Sequence, residues 1–364
     1  MRIAFDQQVF TQLEFGGISR YLCRLATHLS DIQGIEAKIF APCHINAYLP
    51  HIDENLRVGT RVIALPRTGR IRLNLSRLLA MPLIWGFRPD IVHETYYSSW
   101  AHHPKRARRV TTANDMIHEL FPEKFPKNDA TTSWKRKSFA RADHIICISE
   151  NTRRDLLYLF DVPPEKVSVV YLGFDAFGTK IEKKNIVNDR PYILYVGQRS
   201  GYKNFENLFY AYVSSEWLRN NFNLLCFGGG TFTQTEKEVF ARNSLNDSDI
   251  KQIGGDDSVL ATCYLNAAIF VYSSLYEGFG IPPLEAMSMG CPVVCSNTSS
   301  IPEVVGDAGE YFDPANIDSV RASIETVLKS SERQVDLAAK GFERCKLFTW
   351  EKCASETLAV YRSL

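Results

Sequence analysis

From its first residues to its last, the sequence alternates between short apolar runs and longer amphipathic stretches. The runs are too short for buried helices, and most lack the every-second-residue polarity of a strand with one wet face. They fit strands buried on both faces, as in parallel sheets covered by helices. Runs at 2–5, 37–41, 61–65, 90–93, 109–113, 144–148 and 167–171 predict strands in the front half. Runs at 192–196, 223–227, 250–253, 268–271, 292–295 and 310–312 predict strands in the back half. After the first run, Ile18, Tyr21, Leu22, Leu25, Ala26 and Leu29 mark one face of a helix. The pattern predicts α/β architecture with open parallel sheets.

At 364 residues the chain is long enough for two domains of ordinary size. The segment 173–189 mixes glycine and charge with little periodicity and reads as a linker, with a fresh strand at Tyr192. Domains at 1–175 and 190–349 follow, with 350–364 as a tail helix carrying Ala354, Leu358 and Tyr361 on one side. Formal net charge is only +1, yet residues 1–172 hold 24 Lys/Arg against 17 Asp/Glu and the rest hold 18 against 24. A basic front half and an acidic back half fit two domains with different partners. Nine cysteines form no C-x-x-C pair, and several, such as Cys147, Cys226 and Cys295, sit in apolar runs. They read as reduced, buried thiols of a cytoplasmic protein. No run approaches the ~20 apolar residues of a membrane span. The opening MRIAFDQQVF has no long apolar segment and reads as a first strand, not a signal peptide.

Four stretches carry chemistry. In YEGFGIPPLEAM, Glu277 precedes a glycine turn, Pro282 and Pro283 open a helix, and Glu285 falls in its first turn. Strand, glycine turn and helix start together hold diphosphates, and Gly278, Gly280 and Ile281 can present backbone amides to the anion. Glu285 also suits a helix start for its own sake, whereas Glu277 has no capping reason to be acidic. In VGQRSGYKN, Arg199 and Lys203 follow a strand, at the end where ligands of open sheets bind. Two cations there suit a diphosphate leaving group; the plain alternative is two solvated loop charges. In EFGGISRY, Gly16 and Gly17 would let a ligand approach the backbone, or simply serve a βα turn needing positive φ. In TANDMIH, Asp115 stands at a strand end where it could meet a hydroxyl, and His118, which could donate a hydrogen bond, reads more readily as structural.

No G-x-x-x-x-G-K-[ST] loop, G-x-G-x-x-G fingerprint, G-x-S-x-G elbow or zinc-ligand spacing is present. A dehydrogenase or hydrolase therefore lacks its marks. A nucleic-acid reading has only the basic front half behind it, without an aromatic-basic platform. Nucleic acid is not an expected partner.

Taken with GGISRY, RADHIICISENTRRDL and ILYVGQRSGYKN, the long block LYEGFGIPPLEAMSMGCPVVCSNTSSIPEVVGDAG makes the chain resemble retaining glycosyltransferases of family 4, mannosyltransferase-like members above all. The resemblance spans nearly the whole chain. It implies the GT-B fold, two facing Rossmann-like domains with a C-terminal helix crossing back to the first. The front domain would bind the acceptor and 190–349 the nucleotide sugar. Arg199 and Lys203 would bind the diphosphate, Glu277 the donor sugar near Phe279, Gly280 and Ile281, and Glu285 the ribose. Gly16 and Gly17 would border the phosphates, and Asn114 and Asp115 would touch acceptor or sugar. One departure stands out: Asn114 occupies a position where many relatives have histidine, and an amide cannot carry a proton at neutral pH.

The implied reaction moves a sugar, mannose from GDP-mannose in the first instance, to a saccharide acceptor with retained configuration and no metal or other cofactor. A UDP-sugar donor, or a non-catalytic GT-B binder of nucleotide sugar or glycan, is the alternative. Arginines interleaved with apolar residues at 67–79 could rest peripherally on anionic lipid, suiting a lipid-linked saccharide in surface-polysaccharide assembly at the inner face of the membrane; the plain alternative is an ordinary amphipathic surface helix.

Overall fold

The computed structural model describes residues 1–100, 104–178, 190–246 and 248–364. Most of the expected linker, from 179 onward, lies outside the described residues. The chain divides into two compact units: Met1–Gly173 with Thr349–Leu364, and Phe174–Phe348.

The first unit is built on seven strands: β1 (Arg2–Phe5), β2 (Glu36–His44), β3 (Arg57–Arg61), β4 (Ile91–Glu94), β5 (Arg108–Ala113), β6 (His144–Cys147) and β7 (Val167–Val169). Their order is β3-β2-β1-β4-β5-β6-β7, and every pairing is parallel. The second holds β8 (Tyr192–Val196), β9 (Asn223–Phe227), β10 (Ile250–Ile253), β11 (Ile269–Tyr272), β12 (Val293–Ser296) and β13 (Gly309–Phe312). Their order is β10-β9-β8-β11-β12-β13, again all parallel. In each sheet the chain winds one way, returns to the middle and winds the other. The switch falls between β1 and β4 in the first sheet and between β8 and β11 in the second.

The apolar runs are central strands because both faces are covered. Ile3, Phe5, Val92 and Ile145 are fully buried in the first unit. Ile193, Leu224, Val271 and Phe312 pack with helix residues Leu208, Tyr212 and Ile324 in the second. The expected third strand is the exception. Of the apolar 61–65 run only Arg61 is paired; the pairing joins Arg57–Arg61 to β2 through a register shift between Phe40 and Cys43. At this edge strand backbone fit decides: a Cβ on Gly59 would stand 1.9 Å from the Ala41 carbonyl oxygen. Ile63, 84% exposed, and Leu65 are left in solvent. A second departure is the short helix Gln8–Gln12, inserted between β1 and the glycine pair.

The tail folds as expected, into a helix over Trp350–Arg362 that belongs to the first unit and packs on the helix Gly17–Ser30. Ala354, Leu358 and Tyr361 are all buried. Trp350 stacks on Tyr21 with centroids 6.2 Å apart. The Tyr361 hydroxyl meets Nδ1 of buried His93, whose Nε2 lies 2.9 Å from Thr112 Oγ1. Gly173 passes the start of this helix so closely that a Cβ would lie 2.5 Å from the Trp350 nitrogen.

Candidate active site

Arg199, Lys203, Glu277 and Glu285 follow the two strands at the second sheet's switch point, β8 and β11. Open parallel sheets leave a crevice there, because the loops leaving the two middle strands turn to opposite sides. The loop after β8 runs through Gly197–Ser200 into a 3-10 turn, Gly201–Lys203, and then the helix Phe205–Val213, with Asn204 left-handed at φ 54°. The loop after β11 runs through Glu277 and Gly280, at φ 116°, into the helix Ile281–Ser288. The two are stitched together. Leu275 N donates to Tyr202 O at 2.7 Å, Ser273 Oγ to Lys203 O at 3.0 Å, and Asn204 Nδ2 to Ser273 O at 3.1 Å.

On this frame Lys203 Nζ donates to Glu277 Oε1 at 2.6 Å, with side chains 22% and 11% exposed. A charge-assisted bond in that setting is stronger than one in water. Tyr272 also bonds Glu277; burial first, and the adjacent carboxylate second, push the Tyr272 hydroxyl well above the usual phenol range. A third loop, after β12, fixes the acidic turn from below. Ser299 Oγ accepts from Glu277 N at 3.0 Å, and Ser300 Oγ donates to the carbonyls of Glu277 and Phe279, each at 2.8 Å. The helix opens with Ile281, Pro282 and Pro283, so two first-turn positions need no acceptor, while the Ile281 amide belongs to the positive end of the helix. Glu285 faces Tyr264, whose hydroxyl donates to Oε2 at 3.2 Å.

Arg199 stands on the same loop but turns to other partners. Its Nε donates to Glu236 at 2.7 Å, and its terminal nitrogens reach the carbonyls of Gly228 and Gly230, each at 3.0 Å. The side chain is 4% exposed and lies over the Phe232 ring at 4.7 Å. Glu236 doubles as the capping-box acid of the helix Gln234–Arg242. Burial alone would raise its carboxyl pKa, but hydrogen bonds from Arg199 and Thr233 outweigh that and hold it below the ordinary value. The glycine triplet 228–230, all at positive φ, is therefore the seat of a guanidinium.

In the first unit, Gly16 and Gly17 open the helix Gly17–Ser30. Gly16 is extended, and a Cβ on Gly17 would meet open space, so neither packing nor conformation demands glycine at 17. Asn114 is buried after β5, its amide donating to the Tyr97 hydroxyl at 3.0 Å. Asp115 accepts from Ile117 N at 3.1 Å. The lysine that fixes this loop, Lys135, is only 1% exposed. Its Nζ donates to Asp115 O at 2.8 Å and to Glu119 Oε2 at 2.8 Å, with Asp115 Oδ1 at 3.4 Å. Sequence reasoning passed over Lys135 inside the charged run TTSWKRK, although Thr131, Lys135 and Ser138 share a helix face. His118 stacks on Phe125 at 3.8 Å, and burial, aided by Lys135, lowers its pKa. It serves packing.

These are the two α/β units and switch-point loops of a GT-B glycosyltransferase. Residues 15–176 match the glycosyltransferase family 4 description and residues 177–344 the glycosyl transferases group 1 description. The chain is 30% identical over 367 aligned positions to O-antigen chain mannosyltransferase B of Escherichia coli, covering 96% of each chain. It is 24% identical to O-antigen chain mannosyltransferase RfbU of Salmonella typhimurium, covering 85% of this chain and 87% of that one. Sucrose-phosphate synthase from Thermosynechococcus elongatus has the same fold, with a TM-score of 0.80 at 19% identity over 100% of this chain and 98% of that one. The chain belongs to glycosyltransferase family 4. Among the described residues, no helix is long and apolar enough to cross a membrane.

Proposed function

We propose that this glycosyltransferase is a retaining, metal-independent mannosyltransferase that takes mannose from GDP-mannose to a saccharide acceptor carried on lipid. The observation that carries the reading is the Lys203–Glu277 pair at the switch point of the second sheet, in a chain similar over its length to an O-antigen mannosyltransferase. Lys203 would move from Glu277 to the donor diphosphate and hold its charge as the sugar–phosphate bond breaks. Glu277, released, would accept hydrogen bonds from sugar hydroxyls. The amides at Phe279, Gly280 and Ile281 would face phosphate, and Glu285, oriented by Tyr264, would hold the ribose. Arg199 would act on the diphosphate through the glycine turn it clamps, or through a guanidinium N–H without an acceptor among the described residues. The acceptor oxygen would attack the anomeric carbon on the face the diphosphate leaves, its proton passing to the departing phosphate oxygen. No side-chain proton carrier is then needed at Asn114.

Membrane contact belongs to the same reading. The helix Gly69–Phe87 exposes Ile71, Leu75, Leu78 and Leu83, with Ile63 and Leu65 before it and Arg67, Arg70 and Arg72 interleaved. Exposed apolar residues flanked by arginines suit the boundary of an anionic bilayer. The proposal places the enzyme at the cytoplasmic face.

Product analysis by NMR tests the reaction. An α-mannosyl product from GDP-mannose, formed equally with and without EDTA, is expected. A β-linked product, or turnover that EDTA abolishes, would refute retention or metal independence. Sedimentation with vesicles containing anionic lipid, but not with neutral ones, is expected for membrane contact, and equal behaviour in both would refute it.

A further inference from the structure

The end of β12 and the loop after it carry a run of hydroxyls, and these bond to one neighbour. Ser296 Oγ donates to Tyr272 O at 3.3 Å, and Thr298 Oγ1 donates to Leu275 O at 2.9 Å. Ser299 Oγ accepts from Glu277 N at 3.0 Å, and Ser300 Oγ donates to the carbonyls of Glu277 and Phe279. Each bond ends on the last residue of β11 or on the acidic turn that follows it.

Two of these serines break a local rule to make their bonds. Ser300 is the N-cap of the helix Ile301–Val305, a position where a serine side chain normally accepts from the first-turn amides of its own helix. It makes no such bond, and its hydroxyl serves the acidic turn instead. Ser299 has a φ of +54°, in the left-handed region that suits glycine or asparagine and strains serine. Asn204, on the loop after β8, is also left-handed, but asparagine takes that conformation readily. A strained backbone persists only where its surroundings hold it, and it collects at functional sites. Glycine would relieve the strain at 299. It would also take the acceptor from the backbone N–H of Glu277, a residue only 8% exposed. The bond to Glu277 is what the serine side chain adds.

We propose that Ser299 is a positioning residue for sugar transfer, holding the Glu277 backbone so that the Glu277 carboxylate is set to receive the donor sugar. The inference rests on the transferase reading, and it separates the sugar from the nucleotide. Lys203 is anchored without Ser299: its carbonyl accepts from Ser273 Oγ, and the carbonyl of its neighbour Tyr202 accepts from Leu275 N. Glu285 is oriented by Tyr264, on the helix Asp257–Asn266. The groups assigned to diphosphate and ribose therefore keep their places when residue 299 changes. Glu277 does not, and a displaced carboxylate loses the hydroxyls of the sugar.

The full chain is compared with Ser299→Gly and Ser299→Thr. Glycine relieves the strain and removes the acceptor; threonine keeps the acceptor and, being β-branched, deepens the strain. Stability and sugar recognition should therefore part company. The melting midpoint of Ser299→Gly should stay within about 4 °C of wild type, and that of Ser299→Thr should fall by about 2–4 °C. In hydrogen exchange read by mass spectrometry, the peptide carrying Glu277 should lose protection in Ser299→Gly and keep it in Ser299→Thr. By ligand-detected NMR, Ser299→Gly should bind GDP-mannose about tenfold more weakly, the equivalent of ~1.4 kcal/mol, and GDP within about twofold of wild type. Ser299→Thr should bind both as wild type does. Unchanged protection of Glu277 in Ser299→Gly, equal weakening of GDP and GDP-mannose, or loss of GDP-mannose by Ser299→Thr as well would overturn the proposal. A wild type that binds no nucleotide sugar would refute the transferase reading and with it the role in transfer, while lost protection in Ser299→Gly would still establish the clamp on Glu277.

Discussion

Replacing Lys135 with methionine should destabilise the first unit more than any surface substitution. The lysine is enclosed between Asp115, 27% exposed, and Glu119, 5% exposed, and Glu119 Oε1 already lacks a partner among the described residues, so the variant strands the Glu119 charge away from water. Methionine fills much the same volume, so the cavity term is small and the charge term dominates. Removing one member of a buried pair costs about 3–5 kcal/mol. For a unit of this size each kcal/mol moves the midpoint by roughly 2–4 °C, so the melting midpoint of the first unit should fall by roughly 6–20 °C. Circular dichroism melts read this directly. The double variant Lys135→Met with Glu119→Gln removes one stranded charge and should recover about half of the loss. A single variant within ~1 kcal/mol of wild type, or a double variant as unstable as the single, would refute the view that a buried cation holds the Asn114–Asp115 loop.

Further expectations follow from other sites. Burial pulls the pKa of His93 down to about 3, against the opposing pull of Glu94, so the folded state keeps it neutral while the unfolded chain takes up a proton below ~6.5. The contribution is intact above pH 6.5 and is lost as pH falls toward 3, about 2 kcal/mol by pH 5; His93→Gln should flatten that part of the stability–pH curve. Gly229→Ala should cost about 2 kcal/mol or more, since φ is +69° and a Cβ would lie 2.8 Å from the Gly197 carbonyl oxygen and from Arg199 Nη1. Gly17→Ala should leave the melting temperature unchanged or raise it, because the site is open and alanine favours helix by about 0.5–1 kcal/mol. Its turnover should nonetheless fall if the bare helix start serves a ligand, and full activity would refute that role.

How much of this was legible in the sequence depends on what each residue answers to. Strands in the middle of a parallel sheet are apolar on both faces, so β1, β4, β8 and β11 announce themselves. An edge strand owes its place to backbone fit, and Arg57–Arg61 was hidden behind a more apolar neighbour. The acidic turn was legible because strand, glycine, proline and glutamate follow one another in a few residues. The Lys203–Glu277 pair and the Arg199–Glu236 clamp were not, since their members lie far apart in the chain and only the winding of the sheet joins them. Gln8–Gln12 is too short and too polar to carry a helical period, so that helix left no mark.

The central claim is that Lys203 and Glu277 form a donor site. Its most direct test is ligand-detected NMR with GDP-mannose, UDP-glucose, UDP-galactose and UDP-N-acetylglucosamine on wild type and Lys203→Ala. Wild type should bind GDP-mannose in preference to the UDP-sugars. The variant, still folded, should bind it about 10- to 100-fold more weakly, as loss of a charge-assisted contact of ~1.5–3 kcal/mol requires. Equal affinity in the two proteins, or no donor bound by wild type, would contradict it.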